Sequence, residues 1–139
     1  MKKVILLNLA LPMIHFSYGQ LSGIKTIPGD YSTISDAVSD LNTAGVGAGG
    51  VTFNVAAGYA ESITSSILLT ATGTSANPVV FQKSGSGANP VITRSDAGNL
   101  ATSILGDHGD AVIMIKGSDY VTFNGIDVAA TNEGIEYGY

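Results

Sequence analysis

The side chains best suited to chemistry lie together in one short stretch, Gly106-Asp107-His108-Gly109-Asp110. Its two carboxylates could bind Ca²⁺ through oxygen, or act with the imidazole as general acid and base. However, glycine-flanked Asp and His are also ordinary turn residues, and both the EF-hand spacing and a Gly-x-Ser-x-Gly motif are absent. Asp107, His108 and Asp110 are therefore weak ligand-binding candidates. The sequence predicts no catalytic residues, no metal site and no required cofactor, with Ca²⁺ at this turn as the one alternative.

Two further motifs invite a functional interpretation. Glu61, in Tyr59-Ala60-Glu61-Ser62-Ile63, could be a buried carboxylate that bonds the backbone near an N-terminal cap, which is a structural role. The glycine-rich run from Gly45 to Gly50 superficially resembles a phosphate-binding loop. It follows a helical pattern and precedes a strand, the reverse of a dinucleotide-binding fingerprint, so we predict a flexible connection there.

The first 19 residues have the features of a secretory signal peptide. Lys2 and Lys3 give a cationic start, an apolar stretch follows, and Ser17-Tyr18-Gly19 places small residues before a cut between Gly19 and Gln20. A membrane anchor would need about 20 apolar residues, and the run here is shorter and contains Asn, Pro and His. We predict a secreted or outer-surface protein with no transmembrane segment in the mature chain.

Composition narrows the class of protein further. The 139 residues are 45% hydrophobic and 12% charged, with 18 glycines, which indicates one folded domain or part of one rather than a disordered chain. The net charge of −5 argues against nucleic acid or an anionic membrane as a partner, since both attract Lys and Arg. Because cysteine is absent, disulfides and thiolate metal sites are excluded.

One segment, Ser32–Thr43, has the pattern of an amphipathic helix. Its apolar positions recur at helical spacing, at Ile34, Ala37, Val38 and Leu41. Ser32 or Thr33 can cap its N-terminus, and Gly45 is a natural terminator. A single helix followed by strands indicates a cap over an open sheet edge.

The rest of the mature chain has the pattern of an all-β protein. Short β-branched or aromatic runs bounded by turn residues predict strands at Val51–Val55, Ile67–Leu69, Val79–Phe81, Val91–Thr93, Val112–Ile115, Val121–Phe123 and Ile126–Val128. The alternation of apolar and polar residues within a strand fits a β-sandwich as well as a solenoid.

Local self-similarity and the single helix favour the solenoid. Val51-Thr52-Phe53-Asn54 recurs as Val121-Thr122-Phe123-Asn124, with Val79-Val80-Phe81-Gln82 as a looser copy. Repetition of one small unit indicates stacked coils, each burying its interior side chains on the next. We expect Asn54 and Asn124 to adopt the left-handed conformation at strand ends, either as a short asparagine ladder or as isolated turn residues.

The sequence resembles the N-terminal region of right-handed parallel β-helix proteins of the pectin-lyase-like fold, in particular large secreted or surface proteins of Bacteroidetes-type bacteria. The resemblance covers about Ile24 to Val128 and is carried by Thr26–Val38, Gly49–Glu61, Gly73–Gln82 and Gly117–Ile126. Following the signal peptide at 1–19, it implies an N-terminal cap at 20–50 that includes the helix, and the first coils of a parallel β-helix at 51–139, truncated at the C-terminus. We expect an incomplete fragment, because the sequence stops without a capping repeat.

Two functions are compatible with this resemblance. The first is non-catalytic adhesion or contact with polysaccharide or a host or cell-surface glycan. The alternative is a polysaccharide lyase or glycoside hydrolase whose active site lies downstream. Lyases of this fold combine acidic Ca²⁺ ligands with an Arg or Lys base, and none of Lys25, Lys83, Arg94 and Lys116 falls in such a constellation. The first function is therefore preferred.

Overall fold

A computed structural model describes residues 19–97, 109–135 and 138–139. Within these ranges one helix, α1 (Ile34–Ala44), is accompanied by nine strands. The strands are β1 (Leu21–Ile27), β2 (Val46–Ala56), β3 (Ala60–Ile63), β4 (Ile67–Leu69), β5 (Val79–Ser84), β6 (Val91–Arg94), β7 (Ile113–Ile115), β8 (Val121–Asn124) and β9 (Asp127–Ala130). Residues 1–18 of the predicted signal peptide, as well as Asp107 and His108, lie outside the described residues. Gly19 and Gln20, on either side of the predicted cut, are exposed just before β1.

The strands form three sheets among the described residues, and every pairing is parallel. The orders are β1-β2-β5-β8, β3-β6-β9 and β4-β7. Apart from β1 and β2, which pair with each other, strands consecutive in the chain belong to different sheets, and the other pairs join strands distant in sequence. The prediction of a mainly β protein with one helix is confirmed.

The repeated Val-x-Phe unit is stacked in register. Phe53 lies opposite Phe81, and Phe81 opposite Phe123. Their rings are nearly parallel, with centroids 4.5 Å and 5.1 Å apart. Offset stacking of buried aromatic rings contributes about 0.5–1.5 kcal/mol beyond the apolar area buried. Repetition in the sequence thus corresponds to a stacked aromatic column in which Phe53 and Phe81 are buried and Phe123 is partly buried against the core.

The expectation for the asparagines is wrong in one respect. Tyr120 is the only described non-glycine residue with a positive φ, so Asn54 and Asn124 are not left-handed. Both belong to strands, where pairing with neighbours holds the backbone extended. Gln82 donates to Asn54 Oδ1 at 2.9 Å, so two stacked amides are joined.

Local sequence accounts for both ends of α1. Thr33 is extended and its hydroxyl accepts from the Asp36 amide at 2.9 Å, which satisfies one of the free N–H groups of the first turn. Gly45, with φ 75°, ends the helix and donates to Leu41 O. The buried stripe is the predicted one, Ile34, Ala37, Val38 and Leu41. The helix begins two residues later than predicted and ends one residue later.

The prediction of a flexible glycine-rich connection is wrong. Val46–Ala56 is a continuous strand, and β1, which the sequence did not predict, pairs with it through an irregularity between Leu21 and Gly23. Gly50 has φ 76°, and a Cβ at that position would lie 2.3 Å from Pro78 O. Glycine here therefore allows close approach of two strands rather than flexibility.

Helix α1 packs against one end of the core. On β1, Gly23 and Lys25 lie opposite Val51 and Phe53, so this edge strand contributes no large apolar side chain there. The buried stripe of α1 joins the core instead, and the Tyr31 ring lies 5.8 Å from that of Phe53. Hydrogen bonds also join α1 to residues of the first strands of the other two sheets.

Candidate functional site

Of the three ligand-binding candidates, Asp110 is the one that the structure describes. Its side chain is 1% exposed, and Oδ1 has no hydrogen-bond partner among the described residues. A buried carboxylate is costly unless a charge or hydrogen bond compensates it. The nearby compensating group is Arg94, whose pKa is raised by its hydrogen bond to Asp96 and further by the charges of Asp96 and Asp110.

Arg94 is buried and joins three segments of the chain. It binds both carboxylate oxygens of Asp96, through Nε at 2.5 Å and Nη2 at 2.6 Å. Its Nη1 donates to Ser66 Oγ at 2.8 Å and to Ala111 O at 2.7 Å. Because all three nitrogens are engaged, this guanidinium ties β6 to the residues before β4 and β7. The arrangement suits a structural clamp rather than a catalytic base, which would have to lose a proton from Arg94.

The predicted role of Glu61 in bonding the backbone near the cap is confirmed. The carboxylate lies at the N-terminus of α1, accepting from Ile34 N at 2.7 Å and Ser35 N at 3.1 Å. It also accepts from the Ser35 hydroxyl and from Tyr59 Oη. A carboxylate at this position interacts favourably with the helix dipole. With four donors directed at it, Glu61 is not placed to exchange protons with a substrate.

Two tyrosines beside α1 have raised pKa values. Burial, followed by the charge and hydrogen bond of Glu61, raises the pKa of Tyr59 to about 12. Burial and the 2.5 Å hydrogen bond to Asp40 raise the pKa of Tyr31. Both phenols therefore remain protonated near neutral pH and act as hydrogen-bond donors.

A cleft that the sequence analysis did not identify lies between α1 and the segment from Ser62 to Leu68. Its volume is about 460 Å³. We call it the serine cleft because hydroxyl groups dominate its lining, which consists of Ser35, Val38, Ser39, Asn42, Ser62, Ile63, Thr64, Ser65, Ser66, Ile67 and Leu68. No charged side chain of the described residues lines it.

Asn42 and Ser66 shape the serine cleft through contacts within the protein. The Asn42 amide donates to Leu68 O at 2.7 Å and accepts from the amides of Thr70 and Ala71, both at 2.9 Å. Ser66 donates to Ala111 O at 2.7 Å and accepts from Arg94. These bonds fix α1 against β4 and hold the Ser66 end of the cleft in place.

The remaining hydroxyls of the serine cleft are available to a ligand. Ser39, Ser62, Thr64 and Ser65 are exposed, and their hydroxyls make no hydrogen bond to any residue that the structure describes. Below them, Val38 and Ile67 are buried and apolar, and Leu68 is 43% exposed. Each hydroxyl can both donate and accept. The arrangement can accommodate an uncharged polar ligand with an apolar face, and the described residues that line it include no acid, base or nucleophile-activating group.

The described ranges contain no cluster of three or more His, Cys, Asp or Glu side chains suited to hold a metal ion. Nor do they include a helix long and apolar enough to cross a membrane. Comparisons with protein-family models, with curated proteins and with solved structures gave no match for this chain.

Proposed function

We propose that this chain is part of an exported bacterial surface or secreted protein with a right-handed parallel β-helix, and that it acts without catalysis, through adhesion or contact with a glycan. The observation that carries the proposal is the serine cleft, because it presents hydroxyls that bond to none of the described residues beside apolar side chains. Sugars present the same combination of hydroxyls and C–H faces.

The strand pairing supports the solenoid part of the proposal. The chain visits the three sheets in turn, through β2, β3 and β4, and then returns to the first sheet at β5 and the second at β6. Parallel partners with stacked identical side chains, such as Phe53, Phe81 and Phe123, are what successive coils of a solenoid produce. In this interpretation α1 covers the first coil.

The state of the titratable side chains supports a non-catalytic role. Glu61 accepts hydrogen bonds from the start of α1, and Arg94 is committed to Asp96, Ser66 and Ala111. Neither group faces the serine cleft, whose lining carries only hydroxyl, amide and apolar side chains among the described residues. General acid–base catalysis needs a titratable group within reach of the reacting bond.

A glycan array tests this function. The full chain would be applied to neutral and acidic polysaccharide fragments, with and without Ca²⁺, and the same glycans would then be assayed for new reducing or unsaturated ends. We expect binding without product. Turnover of any glycan would refute the non-catalytic role and favour a lyase or hydrolase, while a chain that binds no glycan would contradict the glycan contact.

Export is tested separately. When the full chain is produced in a bacterium, we expect the mature protein outside the cytoplasm to begin at Gln20, as shown by N-terminal sequencing and intact mass. A protein that retains Met1 in the cytoplasm would contradict the proposed localisation.

A further inference from the structure

We infer that the serine cleft is itself the glycan site and that it selects uncharged sugars over acidic ones. This inference rests on the proposed function and adds the ligand class and the place of binding. The cleft volume of about 460 Å³ falls within the roughly 300–1,000 Å³ typical of small-ligand sites. That is enough space for a ligand to be partly enclosed between α1 and the Ser62–Leu68 segment.

The distribution of charge argues against an acidic sugar. A carboxylated sugar needs a cation or free N–H groups to replace its lost hydration. The first amides of α1 are already occupied, Ile34 and Ser35 by Glu61 and Asp36 by Thr33. Arg94 reaches the edge of the cleft only through Ser66. With a net charge of −5, the chain also repels anions at long range.

The polar and apolar groups of the cleft match the two faces of a neutral sugar ring. Ser39 lies on α1, whereas Ser62, Thr64 and Ser65 lie on the opposite wall, so hydroxyls converge from two sides. A sugar hydroxyl donates and accepts, as does each of these side chains. The exposed part of Leu68 offers an apolar surface for the C–H groups of the ring.

The walls of the cleft are fixed before a ligand arrives. Asn42 bridges α1 and the β4 segment with three hydrogen bonds, and Glu61 holds the other end of the helix against β3. A site that is already ordered loses less conformational freedom on binding. We therefore expect ligand binding to leave α1 and β4 in place.

The test compares the full chain with a triple variant, Ser39→Ala, Ser62→Ala and Ser65→Ala. Titration calorimetry would measure binding of maltotetraose, mannotetraose, xylotetraose and, as the acidic probe, trigalacturonate. Loss of one hydrogen bond weakens binding by about two- to tenfold, so we expect the triple variant to lose roughly tenfold or more in affinity for the neutral sugar that binds. We expect trigalacturonate to bind at least tenfold more weakly than that sugar.

A matched control removes three exposed serine hydroxyls elsewhere on the chain, at Ser75, Ser84 and Ser86. This variant should bind as the original chain does, and both variants should keep its thermal midpoint. Neutral binding that survives the cleft triple variant would overturn the inference while leaving the proposed function intact. Tighter binding of trigalacturonate would overturn the selectivity, and absence of binding to every glycan, here and on the array, would refute the proposed function as well.

Discussion

Replacing Glu61 with alanine is expected to lower the free energy of unfolding by about 2–4 kcal/mol. The carboxylate accepts hydrogen bonds from Ile34 N at 2.7 Å and Ser35 N at 3.1 Å, and a hydrogen bond to a charged group contributes about 1.5–3 kcal/mol. Ile34 is fully buried and its amide would lose its acceptor. Ser35 is half-buried, so water can replace part of its hydrogen bond to Glu61. The expected loss is therefore smaller than the sum of two full hydrogen bonds to a charged group.

Urea unfolding followed by circular dichroism measures this loss, as a lower midpoint at an unchanged slope. The matched control is Asp36→Ala, which removes a carboxylate from the same first helical turn. Asp36 is exposed and accepts no hydrogen bond from a described residue, so only its interaction with the helix dipole, about 0.3–1 kcal/mol, is lost. Glu61→Gln should fall between the two, because it retains an acceptor oxygen without the charge.

The size of the Glu61 effect decides whether the helix depends on this carboxylate. A loss of 2–4 kcal/mol is a large part of the roughly 5–15 kcal/mol that keeps a domain folded, so Glu61→Ala should also lower the thermal midpoint clearly. Equal losses for Glu61→Ala and Asp36→Ala would refute the reasoning. They would show that water satisfies the Ile34 amide as well as Glu61 does.

Two further predictions concern the core and the response to pH. Phe81→Ala should lower the free energy of unfolding by about 3–5 kcal/mol, because Phe81 is fully buried between Phe53 and Phe123. Phe81→Leu should lower it much less in the same urea assay. Equal losses for the two variants would contradict the role of side-chain size and stacking. Because the pKa of Tyr59 is raised to about 12, the folded chain keeps a proton that the unfolded chain loses near pH 10. The resulting stabilisation of the folded chain is complete below pH 10 and is lost as pH rises to about 12. Tyr59→Phe should therefore flatten the decline in the free energy of unfolding between pH 10 and 12. An unchanged decline in this variant would show that Tyr59 does not cause it.

Elements governed by neighbouring residues could be predicted from the sequence. The stripe from Ile34 to Leu41, the Thr33 cap and the Gly45 terminator all act within one helix, so local patterns suffice. The Val-x-Phe repeats were also informative, because identical side chains in parallel strands stack on one another. In both cases the pattern in the sequence and the contact in the structure involve the same side chains.

Features that depend on distant partners could not be predicted in this way. The Val46–Gly50 part of the glycine-rich run has low intrinsic strand propensity, and it becomes part of β2 through the pairing of Val46 with Leu21 and the close approach of Gly50 to Pro78. The serine cleft is made by two segments separated in sequence, and scattered serines carry no periodic signal. Glu61 was recognised because its motif lies next to a cap, but the clamp formed by Arg94 with Ser66 and Ala111 needed the tertiary structure.

The position of the serine cleft follows from the packing of a helix, rather than a further layer of strands, beside the first strand of each sheet. The first sheet begins at β1, whereas the other two begin at β3 and β4, and α1 makes hydrogen bonds to both of those segments. A helix cannot match a strand edge in shape along its whole length, because its apolar stripe is narrow. The apolar stripe of α1 packs into the core at Val38. The cleft remains where the polar side chains Ser35, Ser39 and Asn42 of α1 face Ser62–Leu68. A cleft at this end of the molecule is thus a consequence of packing a helix against the core, and Val38 contributes to both, because it is buried in the core and lines the cleft.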